Sequence, residues 1–446
     1  MRALGGPSWL AKLRLGAFGR FASVLLPTGE EELWRYSRIA DLHLERFSPV
    51  AGAPALRPEL PPSAVALLEG VGTCACLVVS LNGTVSSVES GEARAGLEVA
   101  GATTHPEAEA LLGTVAASFT ARLPTGAHAE GISPADSFDH LSSAYCPDAT
   151  VITIAPGIVV EAPIVVVHLI GPPGIASGPS GADPAVVGPA VFPRTVVKLG
   201  EDSEASVIEL LVSGDGAMLV VPTVELSVGD SARLTHSVIQ QLGSATWQVG
   251  HLYAAAGRDA IFRSFQASLG AAYARSRVDS VLTGQGGTAQ LLAAYLGDGD
   301  QMHDFRTLQE HDAPRSTSDL VFKGAVGGRS RSVYSGLIRM RRGAKGANAF
   351  QTNRNLVLSD GAHADSVPNL EIEENDVRCS HASAVGPIDE EQRFYLESRG
   401  VPRAVAERLI LLGFFKELLD RVPGPVGAHV VSEIEERVAL MTGALR

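Results

Sequence analysis

Near its C-terminus the chain reads DVRCSHASAVG, with Cys379 and His381 two residues apart. Side chains on extended backbone alternate between faces, so this spacing points a thiol and an imidazole the same way. The pair could share one ligand. Sulfur and imidazole nitrogen suit iron, zinc or an iron–sulfur cluster, yet two ligands fill only half of a tetrahedral site, and the remainder must come from elsewhere in the chain or from a partner. The structural alternative makes Cys379 a small core residue and His381 a hydrogen-bonded strand end. Just upstream, Glu371, Glu373, Glu374 and Asp376 could offer oxygen ligands to a hard cation, or form a solvated strand end and turn. His303 and His311 sit among Asp298, Asp300, Asp304, Glu310 and Asp312, which invites a metal-hydrolase reading. No H-E-x-x-H spacing supports it, and outward polar positions on a strand explain the pattern more simply. Cys74 and Cys76 flank one alanine in an apolar strand, where free cysteine behaves as a small hydrophobe. The sequence carries neither G-x-x-x-x-G-K-[ST] nor G-x-S-x-G, so nucleotide hydrolysis would need another subunit.

What must hold these residues is mostly strand. The 446 residues include 47 Gly and 26 Pro but only 5% aromatics, which favours a core of Val, Leu, Ile and Ala broken by frequent turns. Residues 1–142 read as mixed, mainly helical: an amphipathic helix from about Ser8 to Val24, a second in GEEELWRYSRI, a Pro/Ala-rich connector over residues 49–62, and helix on either side of CACLVVSL. From 143 to 387 the chain becomes short β-branched runs such as VITIA, TVVKLG and VPTVELSVG, separated by Gly/Asp turn groups. A sandwich, a propeller or a solenoid could be built from them. Recurrence without a strict blade motif favours a parallel β-solenoid, with GPSGADPAVVG, residues 178–188, thrown out as a loop. Residues 388–446 read as three helices, the first opening on acidic residues and closing at Arg399-Gly400. Helices at both ends of the chain are expected to cap the stack, whose terminal strands would otherwise expose free edges.

The charge balance excludes one class of partner. With 36 Lys+Arg against 49 Asp+Glu, the net charge of −13 opposes binding to nucleic acid. Four cysteines without a C-x-x-C pair fit a reducing cytoplasm, basic residues interrupt the N-terminal apolar positions as they would not in a signal peptide, and no apolar run reaches membrane-spanning length.

Several segments together resemble one family. Gln351 to Leu356 gives a Q-x-x-x-N-L step, Pro368 to Ile372 a P-x-L-E-I strand, then come C-S-H and the F-Y-L-x-S-R-G helix end, Phe394 to Gly400. These resemble, in order, the C-terminal signature of the SufB/SufD proteins of iron–sulfur cluster assembly. GLIRMRRGAKGANAF and, near the N-terminus, Pro27, Glu32, Trp34 and Tyr36 match further positions. Ala362 stands where a SufB-type protein would carry a cysteine, and CSHASAVGPID follows the SufD form, departing from it at Ala382-Ser383-Ala384 in place of Gly-Ala-Thr. The resemblance implies a right-handed parallel β-helix flanked by helical regions, acting as a non-catalytic scaffold subunit of a SufBCD complex. It implies His381 and Cys379 as the cluster-assembly residues, His381 able to ligate metal with ligands from a partner. It also implies a SufB-like partner at the β-helix, a SufC-like ABC ATPase docked on the C-terminal helices around Leu411, Phe414, Phe415 and Leu418, a homodimer when the protein is isolated, and no permanent cofactor beyond transient iron or an iron–sulfur cluster. Two alternatives remain at this level: a homodimeric binding or structural solenoid, and a metal-dependent solenoid enzyme.

Overall fold

From Thr246 onward, successive strands of this chain do not pair with each other. In the computed structural model, which describes residues 4–50, 58–91, 95–121, 136–171 and 188–443, they alternate between two sheets. Thr246–Ala256, Tyr273–Leu282, Met302–His311, Arg331–Met340 and His363–Ile372 lie side by side in one sheet. Ile261–Ser268, Thr288–Gly297, Thr317–Val326, Asn348–Val357 and Arg378–Gly386 lie side by side in the other. Every pairing among these strands is parallel. The chain therefore coils, and the β-solenoid expected from the sequence is the fold. One turn takes roughly 30 residues, within the usual range of solenoid repeats.

The Gly/Asp groups of the sequence are its corners. Asp202, Ser231, Asp259, Gly286, Arg315 and Gly346 each adopt positive φ at the same corner of successive turns. Each donates its N–H to the corner of the next turn, from Asp202 to the Asp230 carbonyl through to Gly346 and the Asp376 carbonyl. These ladder bonds satisfy backbone that a turn would otherwise leave unpaired.

Alternation along each strand sends one set of side chains into the lumen and the other outward. Val197, Leu226, Ala254, Leu291 and Phe322 belong to the lumen core. Further along, Tyr295, Phe305, Phe322 and Tyr334 stack with ring centroids 4.9, 5.3 and 5.6 Å apart. Each such ring contributes about 1.5–3 kcal/mol by burial. Gly324 admits the Tyr295 ring, since a Cβ there would lie 1.8 Å from ring carbon Cε2.

The outer faces are covered by helices. The helix Ser8–Phe21 packs on Ser137–Tyr145, and Trp34, Phe138 and Leu141 cover the outer face of the first sheet. The segment GEEELWRYSRI differs from expectation: it forms short 3-10 turns, Glu32–Trp34 and then Ile39–Asp41, rather than an α-helix. Its carbonyls are taken by the sheet, Leu33 O by Arg275 Nη2 at 2.7 Å and Arg35 O by Arg306 Nη2 at 2.6 Å, and Tyr36, which lies between the two 3-10 turns, adopts φ 65°. Tertiary hydrogen bonds outcompete local helix here.

At the other end, Glu390–Ser398 begins at the N-cap Asp389, whose carboxylate accepts from the N–H groups of Glu391 and Gln392, and the chain leaves this helix through Gly400 at φ 84°. Arg403–Leu419 and Val426–Gly443 then run back along the outer face of the second sheet to Pro62–Val71. Thus the C-terminal helices flank the solenoid without closing its last turn, contrary to the cap expected. Their apolar residues match the outward row Leu292, Ala294, Leu296 and Ala325, and burying that row decides where they lie. The strand at Cys76–Leu81 also pairs parallel with Ile164–Ile170, so the second sheet reaches back into the N-terminal region. Most of the expected loop 178–188 and half of the connector 49–62 fall outside the described residues.

Candidate functional site

The uncovered turn is where Cys379 and His381 lie. Arg378–Gly386 is the edge strand of the second sheet, with Cys379 opposite Ala349 and His381 opposite Gln351. Ala349 and Gln351 are buried in the lumen, so Cys379 and His381 face the lumen side of the last turn, on one face as their spacing requires. Among the described residues no further turn covers them. His381 is exposed, and neither ring nitrogen has a hydrogen-bond partner among the described residues. Cys379 is half-buried against Ile338, Met340 and Ala349. Burial pushes its thiol up to about 11, so it is protonated at neutral pH.

The opposite edge strand, His363–Ile372, completes the open end. Ser383 Oγ donates to Ser366 Oγ at 2.7 Å across the mouth. Leu370, Ile372 and Val385, lumen-side residues in this last turn, are 37%, 49% and 45% exposed. Two free strand edges and an uncovered apolar lumen thus surround one histidine and one thiol. Arrangements of this kind seldom stay exposed, because free edges are templates for pairing.

The other candidates resolve differently. Glu371 pairs with Arg339 at 2.7 Å and Glu373 with Arg341 at 3.8 Å, while Glu374 accepts from the N–H groups of Gly343 and Asn375. Those contacts hold the Glu374 carboxyl below its ordinary range. The acidic run is a strand end and turn. Among the described residues no three His, Cys, Asp or Glu side chains converge as a metal site.

His303 and His311 are not outward, as the sequence suggested, but wholly buried in the lumen. His303 Nδ1 contacts Ser268 Oγ at 2.9 Å, and the two nitrogens of His311 contact Ser316 and Ser318, each at 2.8 Å. Burial pushes both imidazoles down to about 4, so both are neutral. Alternation sends Asp304 and Glu310 to the outer face, where Arg306 and Arg341 take them. The metal-hydrolase set therefore never assembles. Cys76 opens the strand Cys76–Leu81 while Cys74 lies before it, outside the strand expected to hold both, and burial raises both thiols.

On the C-terminal helices, Leu411, Phe415 and Leu418 are core residues against the second sheet. Phe414 is partly buried, with Lys323 Nζ 4.8 Å from its ring centroid and bonded to its carbonyl at 2.9 Å. What these helices leave exposed is Phe394, Tyr395, Leu409 and Leu440.

Sequence reasoning missed a buried cluster in the lumen. Glu209 accepts from His168 at 2.9 Å, from His236 at 2.6 Å and from Thr195 at 2.6 Å. Burial would raise this carboxyl, but the two imidazoles hold it well below the ordinary range. The signal was available only as a spacing of one turn between His236 and Val207, the neighbour of Glu209 in its strand register.

With this geometry in view, the chain's relatives are informative. Residues 182–414 match the family model described as SUF system FeS cluster assembly, SufBD core domain, which includes the open end and much of the helix behind it. An iron–sulfur cluster assembly SufBD family protein of Mycobacterium tuberculosis (strain H37Rv) is 37% identical over 262 residues, 57% of this chain and 65% of that protein. Its counterpart in Mycobacterium leprae is 34% identical over 269 residues, 57% of this chain and 68% of that protein. The iron–sulfur cluster assembly protein SufD of Escherichia coli (strain K12) is 30% identical over 287 residues, 64% of this chain and 66% of that protein. The match thus spans somewhat less than two thirds of the mycobacterial relative named first.

Proposed function

Because the chain belongs to the SufBD family of iron–sulfur cluster assembly proteins, we propose that it works as a SufD-like, non-catalytic scaffold subunit whose open solenoid end pairs with a SufB-like partner. One observation carries this reading: the last turn presents two free parallel edges and three exposed lumen residues, Leu370, Ile372 and Val385, around His381. A second solenoid end would continue both sheets, bury the apolar mouth and bring ligands beside His381 and Cys379. Iron or a nascent cluster is then cargo held between subunits, with half of its ligands from each chain. The absence of a P-loop fits a complex that draws its ATP hydrolysis from a separate SufC-like ATPase. That ATPase would use Phe394, Tyr395, Leu409 and Leu440, since Leu411, Phe415 and Leu418 are committed to the core. Closure of ATPases bound on the two subunits would strain the helices that follow directly from the His381 strand and open the junction. No helix among the described residues is long and apolar enough to cross a membrane, and a cytoplasmic site of action follows from the assembly role proposed here.

The test is an anaerobic pull-down of the tagged protein from its own cells, with partners identified by mass spectrometry. Deleting the C-terminal helices would strip the second sheet of its cover, so point variants serve better. Val385→Lys places a charge in the mouth and should lose the SufB-like subunit while retaining the ATPase. Leu409→Asp combined with Leu440→Asp should do the reverse. If the unmodified protein comes down alone, or both variants recover both partners, the proposal fails.

A further inference from the structure

The outer face of the first sheet carries an unusual column. Arg277 and Arg306 are register partners on adjacent parallel strands, so two guanidinium groups stand side by side about 4.8 Å apart at the backbone. Like charges placed directly across neighbouring strands are destabilising. Both residues are nevertheless buried, with side chains 7% and 3% exposed. The column continues without a carboxylate, with His251 on one side and Ser335 on the other.

Local carboxylates answer part of this charge. Arg277 binds Asp279 through Nε and Nη2, at 3.2 and 2.8 Å. Arg306 binds Asp304 through Nε at 2.7 Å and gives Nη2 to the Arg35 carbonyl. Asp304 is shared, however, because Arg275 Nη1 and Tyr273 OH also donate to it, at 2.6 and 2.8 Å. His251 lies between Asp279 and Asp139, at 3.1 and 2.9 Å. On the sheet itself three arginines face two aspartates, and the helix Ser137–Tyr145 adds Asp139 and its N-cap Asp136 beside Arg275 and Arg277. In both Arg277 and Arg306, Nη1 has no partner among the described residues.

Those two residues line a groove of about 320 Å³ between the sheet and the segment at Glu32 and Leu33. Ser335 and Asn369 line it further along. The three carboxylates that line it are already engaged, Asp279 with Arg277 at 2.8 Å, Glu371 with Arg339 at 2.7 Å and Glu32 with Arg35 at 3.7 Å. We propose that this groove binds a small oxyanion, a carboxylate or a phosphate, bridged by the free Nη1 donors of Arg277 and Arg306, with Ser335 as a further donor. Guanidinium groups are matched in shape to such oxygens, and the bridging anion removes the like-charge conflict of the column. The groove is larger than a bare phosphate needs, so the anionic group is the anchored end of a larger ligand. This site lies on the outer face of the solenoid and does not depend on the cluster-assembly reading.

Isothermal titration of the full chain tests it, with inorganic phosphate in one arm and citrate in the other at matched ionic strength. One of the two should bind saturably at a single site, and the arm that responds identifies the oxyanion class. Arg277→Gln should weaken that binding at least about tenfold, the scale set by loss of one charge-assisted hydrogen bond. Ser335→Trp fills the groove while leaving all three arginines and their ion pairs intact, and should abolish binding with the thermal unfolding curve unchanged. Absence of saturable binding to either anion at millimolar concentration overturns the site. Binding that survives Ser335→Trp overturns it equally, because the anion would then be held elsewhere.

Discussion

His236 and His381 occupy the same column of the second sheet, reached from one another through Ser264, Leu291, Leu320 and Gln351. Both face the lumen side. Yet His236 is wholly buried and locked on Glu209, whereas His381 is exposed and without a partner. The residue type and the backbone are the same; only the presence of a further turn differs. Inside the coil His236 finds its partner within its own chain, where an unpaired polar group costs several kcal/mol, while Gln351 beside the last turn has neither side-chain polar atom bonded among the described residues. At the last turn the same position is open, and no group among the described residues satisfies it. Whether the histidine of this column is sealed or open is thus decided by where the stack stops.

The sharpest way to break the comparison is to damage the sealed cluster. Glu209→Ala leaves two buried imidazoles and the Thr195 hydroxyl without their shared acceptor, and should cost about 3–5 kcal/mol in urea unfolding. A loss under about 0.5 kcal/mol, the range of ordinary surface substitutions, would show that the cluster does not secure the lumen. The same carboxyl has a depressed folded-state pKa, so its contribution is present above the unfolded value of about 4.3 and is lost as pH falls toward the folded one.

A smaller effect comes from the neutral lumen histidines. His303 and His311 are pushed down to about 4 in the fold, while an unfolded histidine titrates near 6.5. Between these values the unfolded chain binds more protons, so stability falls as pH drops from about 6.5 to 4. Each contributes a loss on the order of 3 kcal/mol. His303→Asn should flatten the pH dependence of the unfolding midpoint across that window; an unchanged slope would contradict burial of a neutral imidazole. Cys379 sharpens the contrast from the other side. With its thiol near 11, alkylation by iodoacetamide at pH 8 should run about two orders of magnitude slower than for a free cysteine, and a rate equal to free cysteine would mean that the half-buried packing against Met340 and Ala349 is wrong.

Much of this was legible in the sequence. Short β-branched runs between Gly/Asp corners specified a solenoid because each corner needs one positive-φ residue per turn, and the i, i+2 spacing of Cys379 and His381 fixed their common face. What was not legible depended on partners one turn away. The inward direction of His303 and His311 is set by register with Phe305 and the lumen, which polarity alone misjudges. The Glu209 cluster joins residues from three turns, and the Arg277–Arg306 column two, so neither appears within any local window. The 3-10 turns at Glu32–Trp34 were missed for the same reason: Arg275 and Arg306, far along the chain, claim the carbonyls. The uncapped end followed from the outward row Leu292, Ala294 and Leu296, which holds the helices elsewhere.

The smallest expected structural effect belongs to the residue at the centre of the proposed assembly role. His381 is exposed and makes no hydrogen bond among the described residues, so His381→Ala should change unfolding stability by no more than about 0.5 kcal/mol. The assembly proposal demands a second readout in the same strain: cluster-dependent enzyme activity in cells should fall sharply while the level of the variant protein and its recovery with a SufB-like subunit stay unchanged. Those two measurements separate a residue that holds the fold from one that waits at its edge. If His381→Ala destabilised the chain as Glu209→Ala is expected to, the end of the stack would be closed in solution and its histidine structural. If stability and cluster formation both stayed normal, the open end would be a docking surface whose chemistry lies with the partner.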